Sequence, residues 1–393
     1  MDQELRILHL DCTTGYGGQE RDHISEAKGF LKKGHTYILG ARTGTAFARE
    51  AGQAARTLEL PLRNNLDLES LSFLRNFLRK EKIDVVVTTS YIDNWLGAMA
   101  SFSLGKNRPL LIRQRHIMNP PKNLFPFRRL CDRLVVVSDA LRIFFVESGL
   151  PFWHVVTIPR GSEFKSVHET GRNARTIREE LNIPEGMPVL LQIGTFQKDK
   201  GHLLMLDSLK ILWENNPDIV MIFLGTGPLF DEVVDRARNR FPEKFEKKLF
   251  FPGQRDPFPF FSIASAVVVP SIRESFSLVA LESIGHGVPV VSFRVGGVPE
   301  IFNRTPGGTL VRPYNTRAFS KAVQDILFDK ALQEKTKTEY SRKILREFSL
   351  DRCVERTVSL YRWGMDRLRS GRIHQNPYRD VGGKADCFEG HGL

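Results

Sequence analysis

The stretch Pro270-Ser-Ile-Arg-Glu-Ser-Phe-Ser-Leu-Val-Ala-Leu-Glu282 and its continuation Gly287-Val-Pro-Val-Val-Ser-Phe-Arg-Val-Gly-Gly-Val-Pro-Glu300 decide the fold. Residues 266–269, just ahead of them, are an apolar, β-branched run that reads as a buried strand ending at Pro270. A polar loop then carries Glu274, and a helix starts near Leu278. Residues 288–292 are a second apolar run. Strand, loop, helix and strand in this order make the βαβ unit of a parallel sheet.

The alternation extends outward. In the second half strands are expected at 189–193, 219–224 and 249–251, with helices at 202–215 and 229–240 between them. The first half repeats the pattern, with strands at 5–10, 36–39, 84–89, 110–113, 133–137 and 154–158. Between these, 66–79 places Leu71, Leu74 and Leu78 on one helical face and leaves Arg75, Arg79 and Lys80 outside. Residues 161–187 hold no strand-like run and close on Pro184-Glu-Gly-Met-Pro188. The expected organisation is α/β: an N-terminal Rossmann-like domain at 1–165, a linker at 166–187, a second Rossmann-like domain at 188–350, a helix at 351–370 and a loose tail at 371–393.

Composition sets the class. A chain of 393 residues, 41% hydrophobic and 26% charged, suits two soluble domains, and no apolar run nears the roughly 20 residues of a bilayer span. Asp2 and Glu4 stand where a secretory signal carries positive charge. Cys12, Cys131, Cys353 and Cys387 form no CxxC pair and no Cys/His cluster, which argues against a disulfide framework or zinc site and fits a reducing cytoplasm. The net charge is +12, and the first 160 residues are the more basic part. Such charge suits nucleic acid, an anionic membrane or a phosphorylated substrate. No zinc-finger spacing, RNP-like aromatic run or recognition helix supports the first of these.

The loop at Glu274 and the helix after it make an anion site, because unpaired first-turn N–H groups and the helix dipole favour a diphosphate. Glu274 then faces whatever the phosphate carries. Glu282, about one turn into the helix, can accept hydrogen bonds from ribose hydroxyls. Either Glu alone reads as a dipole-stabilising cap; the pair, with Gly296 and Gly297 behind it, reads as a ligand site. Gly15-Tyr-Gly-Gly-Gln-Glu20 follows the first strand, where bare backbone at Gly17 and Gly18 can approach a phosphate or sugar, or simply turn the chain. Lys200 follows the 189–193 strand and can neutralise a departing diphosphate, although most lysines are solvated surface. His116 stands at a strand's C-terminal end, where open α/β sheets collect ligands.

These motifs resemble glycosyltransferase family 4, retaining enzymes of the GT-B fold, in which two Rossmann-like domains face each other across a cleft. The resemblance runs over most of 5–365, and its specific part is Glu274-x7-Glu282 with Gly287-x-Pro-Val-Val and Gly296-Gly-x-x-Glu300. It implies that Glu274 contacts the donor sugar, Glu282 the ribose, and backbone at Phe276, Ser277, Leu278 and Val279 the diphosphate. Gly17 and Gly18 match the N-terminal glycine loop, His116 the histidine near the transferred sugar, Lys200 the phosphate-binding lysine, and Gln254 and Arg255 the loop beside the nucleobase. Two departures stand out. The family's Arg after the glycine at Gly194 is Thr195, and its Gly in Glu-x-Phe-Gly is Ser277.

The resemblance implies a metal-independent hexosyl transfer without cofactor, from a nucleotide diphosphate sugar such as a UDP- or GDP-sugar to a glycan or lipid-linked acceptor. A role in cell-surface polysaccharide or lipopolysaccharide biosynthesis follows. There is no Asp-x-Asp. The segment Met118-Asn-Pro-Pro-Lys-Asn-Leu-Phe-Pro-Phe-Arg-Arg-Leu130 mixes aromatics with basic residues on the acceptor side. It suggests contact with an anionic lipid surface at the cytoplasmic face. The alternative is a loop whose Phe residues pack on the domain. Two other functions share the pattern: a catalytically degenerate nucleotide-sugar binder, motivated by Thr195 and Ser277, and a sugar-nucleotide 2-epimerase.

Overall fold

The computed structural model describes residues 3–15, 17–164 and 175–375. Part of the expected linker, 166–174, and the expected tail from 376 onward, with Cys387, lie outside these. The chain forms two compact units, Met1–Gly161 with Leu350–Leu393, and Ser162–Ser349.

The first unit is built on seven strands: β1 (Arg6–Asp11), β2 (Thr36–Arg42), β3 (Arg56–Leu60), β4 (Val85–Thr88), β5 (Leu110–Arg115), β6 (Arg133–Val136) and β7 (Val155–Thr157). Their order is β3-β2-β1-β4-β5-β6-β7, and every pairing is parallel. Helices on both faces bury the central strands completely, as Val85–Thr88 shows. Sequence order reverses between β1 and β4, so this is the switch point at which loops diverge and leave a crevice. The helix Leu68–Lys80 starts on an Asp67 cap and turns Leu74 and Leu78 inward, with Arg75, Arg79 and Lys80 exposed.

The helix Leu350–Arg369 belongs to this unit, where Val354, Val358, Leu360 and Tyr361 join its core. Gly29 makes the approach possible: a Cβ there would lie 2.8 Å from Val354 Cγ2. The tail expected from Gly371 is held as far as Gln375. The buried Arg133 guanidinium donates to the carbonyls of Ile373 and Gln375, and Ile373 is itself buried. A polar, Gly-rich sequence hides this anchor because its partner is an arginine 240 residues away.

The second unit has six strands: β8 (Val189–Ile193), β9 (Val220–Leu224), β10 (Leu249–Gly253), β11 (Ala266–Val269), β12 (Val290–Phe293) and β13 (Gly308–Val311). The order β10-β9-β8-β11-β12-β13 is again parallel throughout, with its switch point between β8 and β11. The helix His202–Asn215 packs Met205, Leu206, Leu209 and Leu212 into the core with Phe223 and Phe293. Each such side chain contributes about 1.5–3 kcal/mol on full burial. Both units are Rossmann-like, the pair of domains that defines GT-B. Among the described residues no helix is long and apolar enough to cross a membrane.

Candidate functional site

The second unit's switch point brings together the loops after β8 and β11. The first passes Gly194 and reaches Lys200 through a 3-10 turn, Lys198–Lys200; the second runs from Pro270 to Glu274. They are tied at three places. Ile272 N–H donates to the Asp199 carbonyl at 2.9 Å, Arg273 pairs with Asp199 at 3.0 Å, and Lys200 Nζ meets Glu274 Oε2 at 2.8 Å. Both groups of the last pair are partly shielded, with side chains 27% and 14% exposed. Gly201 lets the loops close, since a Cβ on its left-handed backbone would stand 1.9 Å from the Pro270 carbonyl oxygen.

The helix Leu278–Gly285 then begins at Ser277, whose Oγ accepts from Ala280 N–H at 3.3 Å. Intrahelical bonds leave the first N–H groups of any helix without an intrahelical acceptor, so those of Leu278 and Val279 are available as donors. Ser277 is buried at φ 72°, left-handed backbone that favours glycine. The loop after β12 backs this one: a Cβ on Gly296 would lie 1.6 Å from the Glu274 carbonyl oxygen. Glu282 is half-buried on the same helix, and its Oε1 accepts from Ser162 Oγ at 2.9 Å. Phe276 is buried against Phe348.

Thr195 is exposed. Two cations that could replace the family's arginine there, Arg255 and Arg273, already hold carboxylates. Arg255 binds Glu180 at 3.0 Å and stacks on Phe260, and Arg273 binds Asp199. Gln254 is exposed beside Arg255. Among the described residues no group of three or more His, Cys, Asp or Glu side chains is arranged to hold a metal ion.

In the first unit Gly17 caps the helix Gly18–Lys32, and its N–H is taken by Glu20 Oε2 at 2.7 Å. Nothing stands within 4 Å of a Cβ at Gly18, so that position opens onto free space. His116 follows β5, half-buried, with Nε2 3.4 Å from Gln114 Oε1. Burial first, then Arg160, His23, His9 and Arg115, push its pKa well below the usual histidine value. The 118–130 segment divides between its two readings: Phe127 is buried under Arg113, whereas Phe125 is exposed and stacks on Trp95, with Arg128 and Arg129 exposed.

Sequence reasoning did not single out Ser162, Asp199 or Gln192, whose Nε2 donates to the Lys200 carbonyl at 2.9 Å. Nor did it find the buried set behind His116: Asp11 paired with His23 at 3.0 Å, Glu26 and Gln114. Buried polar residues inside apolar periodicity were the available signal, as with His9, His23 and Glu26.

The glycosyl transferases group 1 model matches residues 173–343, and the glycosyltransferase family 4 model matches 16–163. The D-inositol 3-phosphate glycosyltransferase of Corynebacterium glutamicum is 26% identical over 65% of this chain and 66% of its own length, just under two thirds. The lipopolysaccharide core biosynthesis glycosyltransferase LpsE of Rhizobium meliloti is 25% identical over 88% of this chain and 95% of its own. Among solved structures, a glycosyltransferase from Rickettsia africae superposes with TM-score 0.80 at 20% identity, covering 92% of this chain and 99% of the other. Anabaena HepE in complex with UDP-glucose gives 0.75 at 19%, covering 91% and 100%. With two Rossmann-like units and these matches, the chain belongs to glycosyltransferase family 4 and has the GT-B fold.

Proposed function

We propose that the protein is a retaining, metal-independent glycosyltransferase that moves a hexose from a nucleotide diphosphate sugar to a glycan or lipid-linked acceptor. The observation that carries this reading is the Lys200–Glu274 pair at 2.8 Å, set just before the capped N-terminus of Leu278–Gly285. An ammonium and first-turn N–H groups suit a diphosphate, and a carboxylate beside them suits the hydroxyls of the sugar it carries. In this reading Phe276, Ser277, Leu278 and Val279 hold the diphosphate through backbone groups, Lys200 offsets its charge, Glu274 binds the sugar and Glu282 the ribose. Gln254 and Arg255 border the base. His116 meets the transferred sugar, and Gly17 and Gly18 give backbone access to the acceptor side.

The anomeric carbon–phosphate oxygen bond breaks while a bond to the acceptor oxygen forms on the same face. The departing phosphate oxygen takes the acceptor's proton, leaving nucleoside diphosphate and glycoside. The UDP-glucose complex of HepE and the Rhizobium meliloti enzyme support a UDP-sugar donor and a role in lipopolysaccharide or other cell-surface glycan synthesis. Exposed Phe125, Arg128 and Arg129 support peripheral contact with an anionic membrane surface. Unchanged liposome binding and acceptor KM on replacing both arginines by Ala would remove that part.

The test is calorimetry of the purified protein against UDP- and GDP-sugars in EDTA, repeated on Glu282→Ala. Binding of one nucleotide class, lost in the variant, supports the donor site, and an α-linked product from an α-linked donor supports retention. No binding to any nucleotide sugar overturns the reading. A binding-only member is the second reading, favoured by Thr195 and by the engagement of Arg255 and Arg273 with carboxylates. It requires binding with no turnover on any acceptor, whereas free nucleoside diphosphate released only with acceptor marks the transferase and excludes an epimerase.

A further inference from the structure

We propose that Gln114, locked in place by Glu26, fixes His116 as its Nε2–H tautomer and so presents a bare Nδ1 that accepts a hydrogen bond from a sugar hydroxyl. This rests on the reading that His116 meets the transferred sugar, and it makes Gln114 and Glu26 positioning residues.

The chain of contacts starts on the helix Gly18–Lys32. Glu26, 3% exposed, lies 3.8 Å from the Arg160 guanidinium, which is held in turn by Asp22 at 3.2 Å. Gln114, 4% exposed at the end of β5, donates Nε2 to Glu26 at 3.1 and 3.3 Å. With Nε2 within bonding reach of both Glu26 oxygens, the amide nitrogen faces the carboxyl group and the amide oxygen faces away. That oxygen is the atom 3.4 Å from His116 Nε2. A carbonyl oxygen also only accepts, so the proton of the neutral imidazole sits on Nε2. Neutrality follows from burial and the surrounding Arg160, His23, His9 and Arg115. The His23 ring stands edge-on to His116 at 5.4 Å and sets its plane. The cavity lined by Glu26, Gln114, His116 and Arg160 measures about 10 Å³, too small for a sugar. This end of the imidazole is therefore an anchor, and the opposite edge is the one offered to ligand.

The experiment is long-range ¹H–¹⁵N NMR on the full chain labelled with ¹⁵N-histidine, the His116 signals being assigned by their loss in His116→Asn. At neutral pH the wild type should show protonated Nε2 and bare Nδ1. Gln114→Leu removes the acceptor, and Glu26→Gln lets the Gln114 amide flip; each should shift His116 toward mixed or Nδ1–H signals. In Gln114→Leu, kcat should fall about two- to tenfold, the value of one hydrogen bond, with donor KM unchanged. A wild-type Nδ1–H or doubly protonated ring, or a tautomer left unchanged by Gln114→Leu, overturns the proposal. The wild-type spectrum decides even where Glu26→Gln does not fold. Full activity of His116→Asn would instead remove the reading beneath the proposal while the tautomer result stands.

Discussion

Ser277 tests the site's backbone directly. It sits at φ 72° and ψ 81°, where a Cβ costs about 1–2 kcal/mol. Its Oγ returns part of that by capping Ala280 N–H, but at 3.3 Å the bond lies at the weak end, about 0.5 kcal/mol. Ser277→Ala removes the cap and keeps the strain, so it should destabilise the second unit. Ser277→Gly also removes the cap but relieves the strain, at an entropic cost in the unfolded chain of about 0.5–1 kcal/mol. The glycine variant should therefore exceed the alanine variant by about 1 kcal/mol. For a unit spanning Ser162–Ser349 this is about 2–4 °C in melting temperature. The assay is calorimetric melting of both variants in one buffer, without donor. An alanine variant melting level with the glycine variant, or above it, would refute left-handed backbone at 277 and with it the geometry given to the Leu278 and Val279 amides.

Three further outcomes are expected. Gly296→Ala forces a Cβ to within 1.6 Å of the Glu274 carbonyl on left-handed backbone, so it should cost about 3 kcal/mol or more and show as a lowered melting temperature or insoluble protein. Lys200→Met should leave melting within a few degrees but lower kcat about 10²–10³-fold in a nucleoside-diphosphate release assay; unchanged kcat would remove Lys200 from the chemistry. His202 is buried and stacked on Phe196 at 4.0 Å, and burial, then Lys200, holds its pKa down at about 4. The unfolded chain takes up that proton near pH 6.5, so this stability is present above 6.5 and lost as pH falls toward 4, by up to about 3 kcal/mol. Melting across that window should decline less steeply in His202→Phe, which keeps a ring on Phe196.

Much of the second unit was legible because its strands are buried on both faces and read as continuous apolar runs: β8 and β11 fall at their expected residues. The helix His202–Asn215 likewise matches its periodicity. β3 and β13 were missed. Both are edge strands, and Arg-Thr-Leu-Glu-Leu and Gly-Thr-Leu-Val are too short or too polar to stand out when only one neighbour pairs with them. At the candidate site the motif spacing located Glu274, Glu282 and Ser277 along the chain. It could not reveal that Lys200 and Glu274, 74 residues apart, form a pair, because that contact depends on β8 lying beside β11. The pairing of Arg255 and Arg273 was hidden for the same reason: Glu180 and Asp199 are their neighbours only in the fold.

The two switch points share a topology but not an electrostatic design. Beyond β1 and β4 the polar groups are buried and bonded to one another: Asp11 to His23, and Asp93 to the Thr89 and Ser90 amides. Beyond β8 and β11 the side chains form two ion pairs, Lys200–Glu274 and Asp199–Arg273, each of zero net charge. A diphosphate arriving there, on the proposed reading, meets no excess cation among these four groups. Its attraction comes from the helix amides and from Lys200 changing partner. That exchange serves both ends of the donor, because the ammonium released to the phosphate leaves the Glu274 carboxylate open to sugar hydroxyls. Before the donor arrives, the pair keeps two partly desolvated charges satisfied at once. On the proposed reading, the adjacency of Lys200 and Glu274 couples phosphate binding to sugar binding. Without the ammonium Glu274 is open from the start, so Lys200→Met should weaken the nucleotide sugar and the free nucleoside diphosphate alike, and a loss confined to the nucleotide sugar would refute the exchange by showing that Lys200 acts on the sugar instead.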